Sequence, residues 1–233
     1  MKKIGFLIFL GALVVGFIAA NVSSIGNLGD KPLSFGINFG GVKGSGNLAS
    51  ESRDVRGFKG VDVSSAFQVE ITAQKDFSVT IEADDNILPL IETEVDDGVL
   101  KIECDRRVSP KTPMRIIISA PDIENLETSG AANVILNSIK NAGLHIDSSG
   151  ASKILVTGET NKLVVEVSGA TKIDAEGLLA EAATVETSGA SQVAVNVIGT
   201  LRTDASGASK ITYSGSPREL VTKKSGASSV SPR

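Results

Sequence analysis

Through residues 123–233 apolar and polar positions alternate in short runs, and the runs recur. Leu163-Val165-Val167 and Ile173-Ala175 are each interrupted by single intervening residues, the period of strands with one buried face. The runs are punctuated by Ser-Gly-Ala, which begins at Ser129, Ser149, Ser168, Ser188, Ser206 and Ser225, at steps of 20, 19, 20, 18 and 19 residues. Five places after each Ser stands Val134, Ile154, Ile173, Val193, Ile211 or Val230, and five places before it four copies carry Leu. The alternation reads as changing phase across the triplet, which predicts a corner. Gly there tolerates positive φ, and Ala is expected to suit a tightly wound interior. Gly158, Gly177, Gly199 and Gly215 suggest a second corner.

A coil of about 19 residues at ~3.3 Å rise has a perimeter of roughly 60 Å. That accommodates two or three short strands, each pairing in parallel with its equivalent one coil away at ~4.8 Å. The fold class is therefore all-β, a parallel β-helix solenoid with coils of about 18–20 residues. Helical repeats are longer and richer in helix formers than these Val-, Ile-, Thr-, Ser- and Gly-rich segments. Upstream, Val61-Asp62-Val63-Ser64-Ser65-Ala66 looks like a worn copy of the repeat. Phe67–Glu82 predicts two strands around a turn at 74–76, residues 86–91 a helical turn or bulged loop, and Val99–Cys104 and Met114–Ala120 two more strands. This less regular section is expected to cap the stack, because an open coil end exposes core and strand edges.

Lys2 and Lys3 precede a 17-residue apolar run, Ile4–Ala20. This pattern is an export signal, and the run also reaches the short limit of a membrane span. Cleaved signal and retained anchor both stay open. The predicted organisation is 1–20 signal or anchor, 21–47 Gly-rich spacer including the alternating Phe35–Phe39, 48–122 the N-terminal part of the β domain, and 123–233 the repeat β-helix. Loss of the two lysines takes the formal charge from −4 to −6, which argues against nucleic acid and anionic membrane surfaces as partners. Membrane contact is expected only through residues 4–20, if retained. Aromatic residues make up 4% of the chain and Trp is absent, which suits a thin Val/Ile/Leu/Ala core and argues against binding by ring stacking.

Candidate chemistry follows the repeat. Two places before the Ser stand Glu127, Asp147, Glu166, Glu186 and Asp204, then Lys223. Stacked coils place these carboxylates in one outward column, a candidate binding surface. Lys153, Lys172 and Lys210, four places after the Ser with Gln192 between, are expected to screen it. A divalent-cation strip is the sharper alternative; no metal or other cofactor is assigned. The corner serines Ser129, Ser149, Ser168, Ser188, Ser206 and Ser225 suit hydrogen bonds to local backbone, or alternatively to a polysaccharide. The sole histidine, His145, and the sole cysteine, Cys104, occur outside any repeated constellation; no catalytic residue is assigned, and Cys104 reads as a small hydrophobe on a strand. Gly44-Ser45-Gly46-Asn47-Leu48-Ala49 superficially matches a dinucleotide fingerprint, but no helix-forming run follows it.

Arg53-Asp54-Val55-Arg56-Gly57-Phe58, Ile81–Asn86, Ile91–Leu100 and the Ser-Gly-Ala copies together resemble the auto-transporter adhesin head domain, also called the GIN domain, from about Gly44 to Val230. The resemblance implies a bacterial, exported, β-helical protein and carries over no catalytic residues. A full autotransporter would continue into a membrane β-barrel, which this sequence does not show. The leading expectation is an exported, non-catalytic binding module for a cell-surface polysaccharide, another envelope or extracellular polymer, or a protein. The alternatives are a carbohydrate-active enzyme on the same fold and a membrane-anchored periplasmic partner in envelope sensing.

Overall fold

Alternating Val, Ile and Leu with polar residues produces strands nearly everywhere in the described part of the chain. A computed structural model describes residues 41–233; Ile4–Ala20 and Phe35–Phe39 lie outside the described residues. The elements begin with β1 (Val42–Lys43), β2 (Leu48–Arg53), β3 (Gly60–Ser64), β4 (Gln68–Thr72) and β5 (Ser78–Asp84). A 3-10 turn at Leu88–Leu90 follows, then β6 (Ile91–Asp96), β7 (Val99–Cys104), β8 (Val108–Ser109) and β9 (Arg115–Ser119). The repeats contribute β10 (Asn125–Gly130), β11 (Asn133–Gly150), β12 (Lys153–Gly169), β13 (Lys172–Gly189), β14 (Gln192–Ala205), β15 (Lys210–Gly215), β16 (Glu219–Lys224) and β17 (Ser229–Pro232). No helix among the described residues is long and apolar enough to cross a membrane.

β11 to β13 each run nearly a full coil and bend at the corners. Their pairing is parallel and in register from one repeat to the next, with irregularities near the second corner, between Leu136 and Ile139 and between Leu155 and Thr157. The parallel β-helix is thus as the spacing predicts. It also extends upstream of the repeats: β3 pairs in parallel with β10, and β4 with β11, so the worn copy at 61–66 forms a further coil. β7 and β9 stack on β3 and β4 as one coil more. Antiparallel strands then close this end, β6 on β7 and β2–β5 on β9.

The corner is where the sequence reading needs correction. Inward positions fall five, three and one place before the Ser and three and five places after it, so the alternation keeps its phase and Gly occupies the odd place between. The corner alanines are exposed; for instance, Ala170 and Ala190 face solvent, while Thr171 and Ser191 turn inward. Ala serves here through its backbone: each N–H donates to the Gly carbonyl of the preceding coil at 2.8 Å, from Ala151 to Ala227. That bond holds the Gly column close. A Cβ on Gly169, whose φ is 134°, would lie 2.4 Å from the carbonyl oxygen of Gly150. Gly is required by close approach as well as by φ.

The interior is mostly apolar, and at this corner small hydroxyls turn inward. Thr128 and Ser148 share a hydrogen bond at 2.8 Å, Ser148 and Thr171 one at 2.9 Å, and Ser191 and Ser209 one at 3.2 Å, all buried. These pairings offset the cost of burying the hydroxyls involved, whereas Thr187 Oγ1, also turned inward, has no partner among the described residues.

Candidate functional site

The predicted acidic column exists. Glu127 registers with Asp147, Asp147 with Glu166, Glu166 with Glu186, and Glu186 with Asp204. All five are exposed. The column continues one coil further than the sequence reading took it: Asp62 registers with Glu127. The signal was present in the worn copy, where Asp62 holds the equivalent place. Burial is the main reason its carboxyl is pushed above the ordinary carboxylate range, with Glu103 adding to the rise and Lys101 opposing it. Both ends of the column meet a lysine, Lys101 beside Asp62 and Lys223 beside Asp204.

The corner serines form the adjoining column, with Ser129, Ser149, Ser168 and Ser188 in register. Backbone bonding of their hydroxyls holds for two of the six. Ser188 Oγ donates to Val167 O at 3.5 Å and Ser206 Oγ to Thr187 O at 3.2 Å, in each case one coil back. The Ser129, Ser149, Ser168 and Ser225 side chains lack a hydrogen bond among the described residues and face solvent. Between the columns runs an open groove of about 340 Å³, lined by Asp147, Glu166, Glu186, Asp204, Ser168 and Ser188, among others.

The lysines expected to screen the column make no direct ion pair with it among the described residues. Lys153, Lys172 and Lys210 register along their own column, with Gln192 between the last two. That column lies beyond the Ser-Gly-Ala corner. None of the three makes an ion pair among the described residues, and of the five exposed carboxylates only Glu166 has a basic neighbour within ion-pair range, His145 Nε2 at 3.6 Å. His145 therefore sits diagonally across one coil from the acidic column, a contact hidden from a reading of single positions. Arg202 is on the same face and reaches Glu219 at 3.7 Å rather than the column.

The remaining candidates resolve locally. Cys104 is half-buried at the end of β7, a free thiol donating to Arg106 O at 3.4 Å. The Gly44–Ala49 segment leads into β2, not a helix. Its Gly46 N–H donates to Asp84 at 2.7 Å, a buried carboxylate that also accepts the Lys111 and Thr112 N–H groups at 2.8 and 3.2 Å. Burial pushes the Asp84 carboxyl up, but these backbone donors outweigh it and hold the group below the ordinary range. The backbone donors of this loop thus serve an internal carboxylate that ties two loops to the end of β5. Among the described residues no three His, Cys, Asp or Glu side chains converge to hold a metal ion.

Known structures share this architecture. A "putative adhesin" from Bacteroides fragilis NCTC 9343 superposes with a TM-score of 0.69 at 20% identity, over 83% of this chain and 100% of that one. A "putative adhesin" from Parabacteroides distasonis ATCC 8503 gives 0.51 at 20% identity, over 82% and 99%. At such identities the likeness is one of fold. No curated protein matches the sequence. The family model described as "Putative auto-transporter adhesin, head GIN domain" matches residues 57–217, which span the less regular N-terminal section from β3 onward and the coils up to β15. The chain belongs to that adhesin head family.

Proposed function

We propose that this protein is an exported, non-catalytic binding module whose acidic and serine columns contact a polymer of the cell envelope or extracellular space. The observation that carries this reading is the in-register run of exposed carboxylates, repeated every ~4.8 Å along one open groove and flanked by the corner serines, of which Ser168 keeps its hydroxyl free among the described residues. A row of identical acceptors suits a ligand that is itself repetitive, because each added coil adds an equivalent contact. Carboxylates and hydroxyls recognise hydroxyl- or amine-bearing repeats through hydrogen bonds, without ring stacking. Membership of an adhesin family supports a surface role, and Lys2, Lys3 and Ile4–Ala20 supply the route out of the cytoplasm.

The test uses the full-length chain on arrays of envelope polysaccharides and basic polymers, beside a Glu166→Gln/Glu186→Gln/Asp204→Asn variant. Expected is retention by at least one polymer, lost in the variant while the circular dichroism spectrum stays native, with no shortening of the polymer. Retention unchanged in the variant would remove the acidic face from the function. Release of oligomers would convert the reading to that of an enzyme.

A further inference from the structure

The two charged columns flank one corner and neither is neutralised within the molecule. On one side stand Glu127, Asp147, Glu166, Glu186 and Asp204. On the other stand Lys153, Lys172 and Lys210, in line with the uncharged Asn133 and Gln192. Both columns are built on the same parallel ladder, so both repeat at the same ~4.8 Å along the solenoid axis. The lysines make no ion pair among the described residues, although Asp174 is two places along the strand from Lys172 and Glu176 is taken by Arg233. Within ion-pair range the five carboxylates have only the contact of Glu166 with His145, and Lys223 flanks Asp204 at the end of the column. Such segregation leaves a negative face and a positive face on one molecule, matched in pitch and opposite in sign.

From this we infer that the surface which fits the lysine column is the acidic column of a second copy of the same chain, laid side by side with the solenoid axes aligned. A shared repeat lets successive coils pair in step, where an unrelated partner would fall out of register after one or two coils. The flanking side chains fit this role. Ile135 and Leu155, 42% and 37% exposed, border the lysine column, and Val164 borders the acidic one. The contact joins two different faces, so it is heterologous: each added copy still offers one free face of each sign, and association continues into rings or rows. Each exposed pair contributes little alone and is screened by salt. The association is therefore weak between isolated copies and is strengthened where many copies crowd on one surface.

This inference does not rest on polymer binding and is measured on the protein alone. The full-length chain in a non-ionic detergent, which shields Ile4–Ala20, is sedimented at about 0.05 M and about 0.5 M salt, the range over which surface charges pass from felt to screened. Expected is concentration-dependent association at low salt and its loss at high salt. Lys153→Glu/Lys172→Glu/Lys210→Glu and Glu166→Lys/Glu186→Lys/Asp204→Lys should each sediment as monomers at both salts. Mixed in equal amounts, they should associate again, since each supplies the sign the other lost. A wild-type chain monomeric at low salt, or association indifferent to salt and to both charge reversals, overturns the inference. The wild-type salt dependence stands as a test even if a reversal variant fails to fold. Polymer and neighbouring copy share the acidic face, so the lysine-column variant separates the two readings: it should lose self-association and keep polymer retention.

Discussion

The two ends of the solenoid solve the same problem differently. At the N-terminal end the last parallel coil is covered by antiparallel strands, β6 on one face and β5 with β2 on the other. The largest buried side chains gather there, Phe58, Phe67, Ile71, Ile81 and Ile87 among them, and Phe58 and Phe77 pack with their rings tilted by 60° and centroids 5.1 Å apart. At the C-terminal end β16 pairs with β14 and β17 with β15, and nothing among the described residues lies on their outer edges. The core ladder runs out in the open: Leu201 is 0% exposed, and Leu220, its register partner one coil on, is 44% exposed. Devices that blunt strand edges stand at this end. Lys224 holds the place that buried Ala205 holds one coil earlier, and Pro232 removes a donor from β17. Irregular sequence at the N-terminal end is what a sealed end requires, and regular sequence is what a stackable middle requires.

The sharpest way to break this comparison is a charge at one inward position. Ile173→Asp places an unpaired carboxylate among buried side chains of a central coil and should prevent native folding, whereas Val230→Asp, half-exposed in the last coil, should give soluble protein with a native circular dichroism spectrum. Equal tolerance would refute the interior assignment. Next in size, Phe58→Ala should cost about 3–5 kcal/mol by denaturant unfolding, against under about 1 kcal/mol for Leu220→Ala, which has little burial to lose. The Gly column tests the corner. Gly169→Val should cost at least about 1–3 kcal/mol, because valine is strained at φ 134° and must displace the Gly150 carbonyl. Gly226→Val meets a similar obstacle, 2.7 Å from Gly207 O, but should only fray the last coil, seen as faster amide exchange in 219–232 without a shift of the global transition.

Asp84 sharpens the comparison through pH. Its folded pKa is depressed, so the stability it contributes is present above the ordinary carboxylate range, near about 4, and is lost as pH falls through the folded value. Asp84→Asn should lower the melting temperature at neutral pH and flatten its decline on acidification. An unchanged acid limb would show that the clasp does not couple to folding. The smallest effect belongs to the acidic column. Glu166→Gln should leave the melting temperature unchanged or raise it slightly, since it removes repulsion from Asp147 and Glu186. A marked drop would mean that Glu166 is held by a positive partner; if that partner is a bound cation rather than His145, added calcium should raise the melting temperature of the wild type alone.

What could be read before the coordinates was whatever the repeat enforces. A fixed step of 18–20 residues with period-two alternation dictates stacked parallel strands, and stacking alone carries Glu127, Asp147, Glu166, Glu186 and Asp204 into one column, because equivalent residues have nowhere else to go. The corner defeated the same reasoning. Ala170 looked interior because it is small and invariant among the copies, yet its constancy goes with a backbone bond to Gly150 O and an outward Cβ. Asp62 is hard to place in the column from sequence because its copy of the repeat is worn, though the register includes it.

The sequence by itself determined the solenoid, its pitch and the alignment of like residues, since these follow from local period and repetition. Only the tertiary structure decided which side of the corner each column faces, that Lys153, Lys172 and Lys210 stand apart from the carboxylates they were expected to screen, and that His145 reaches Glu166 across a coil. It also decided how the N-terminal strands β2, β5 and β6 reverse direction to seal the stack. Those outcomes depend on contacts between segments far apart in the chain, and a local period carries no information about the angle at which a coil turns its corner.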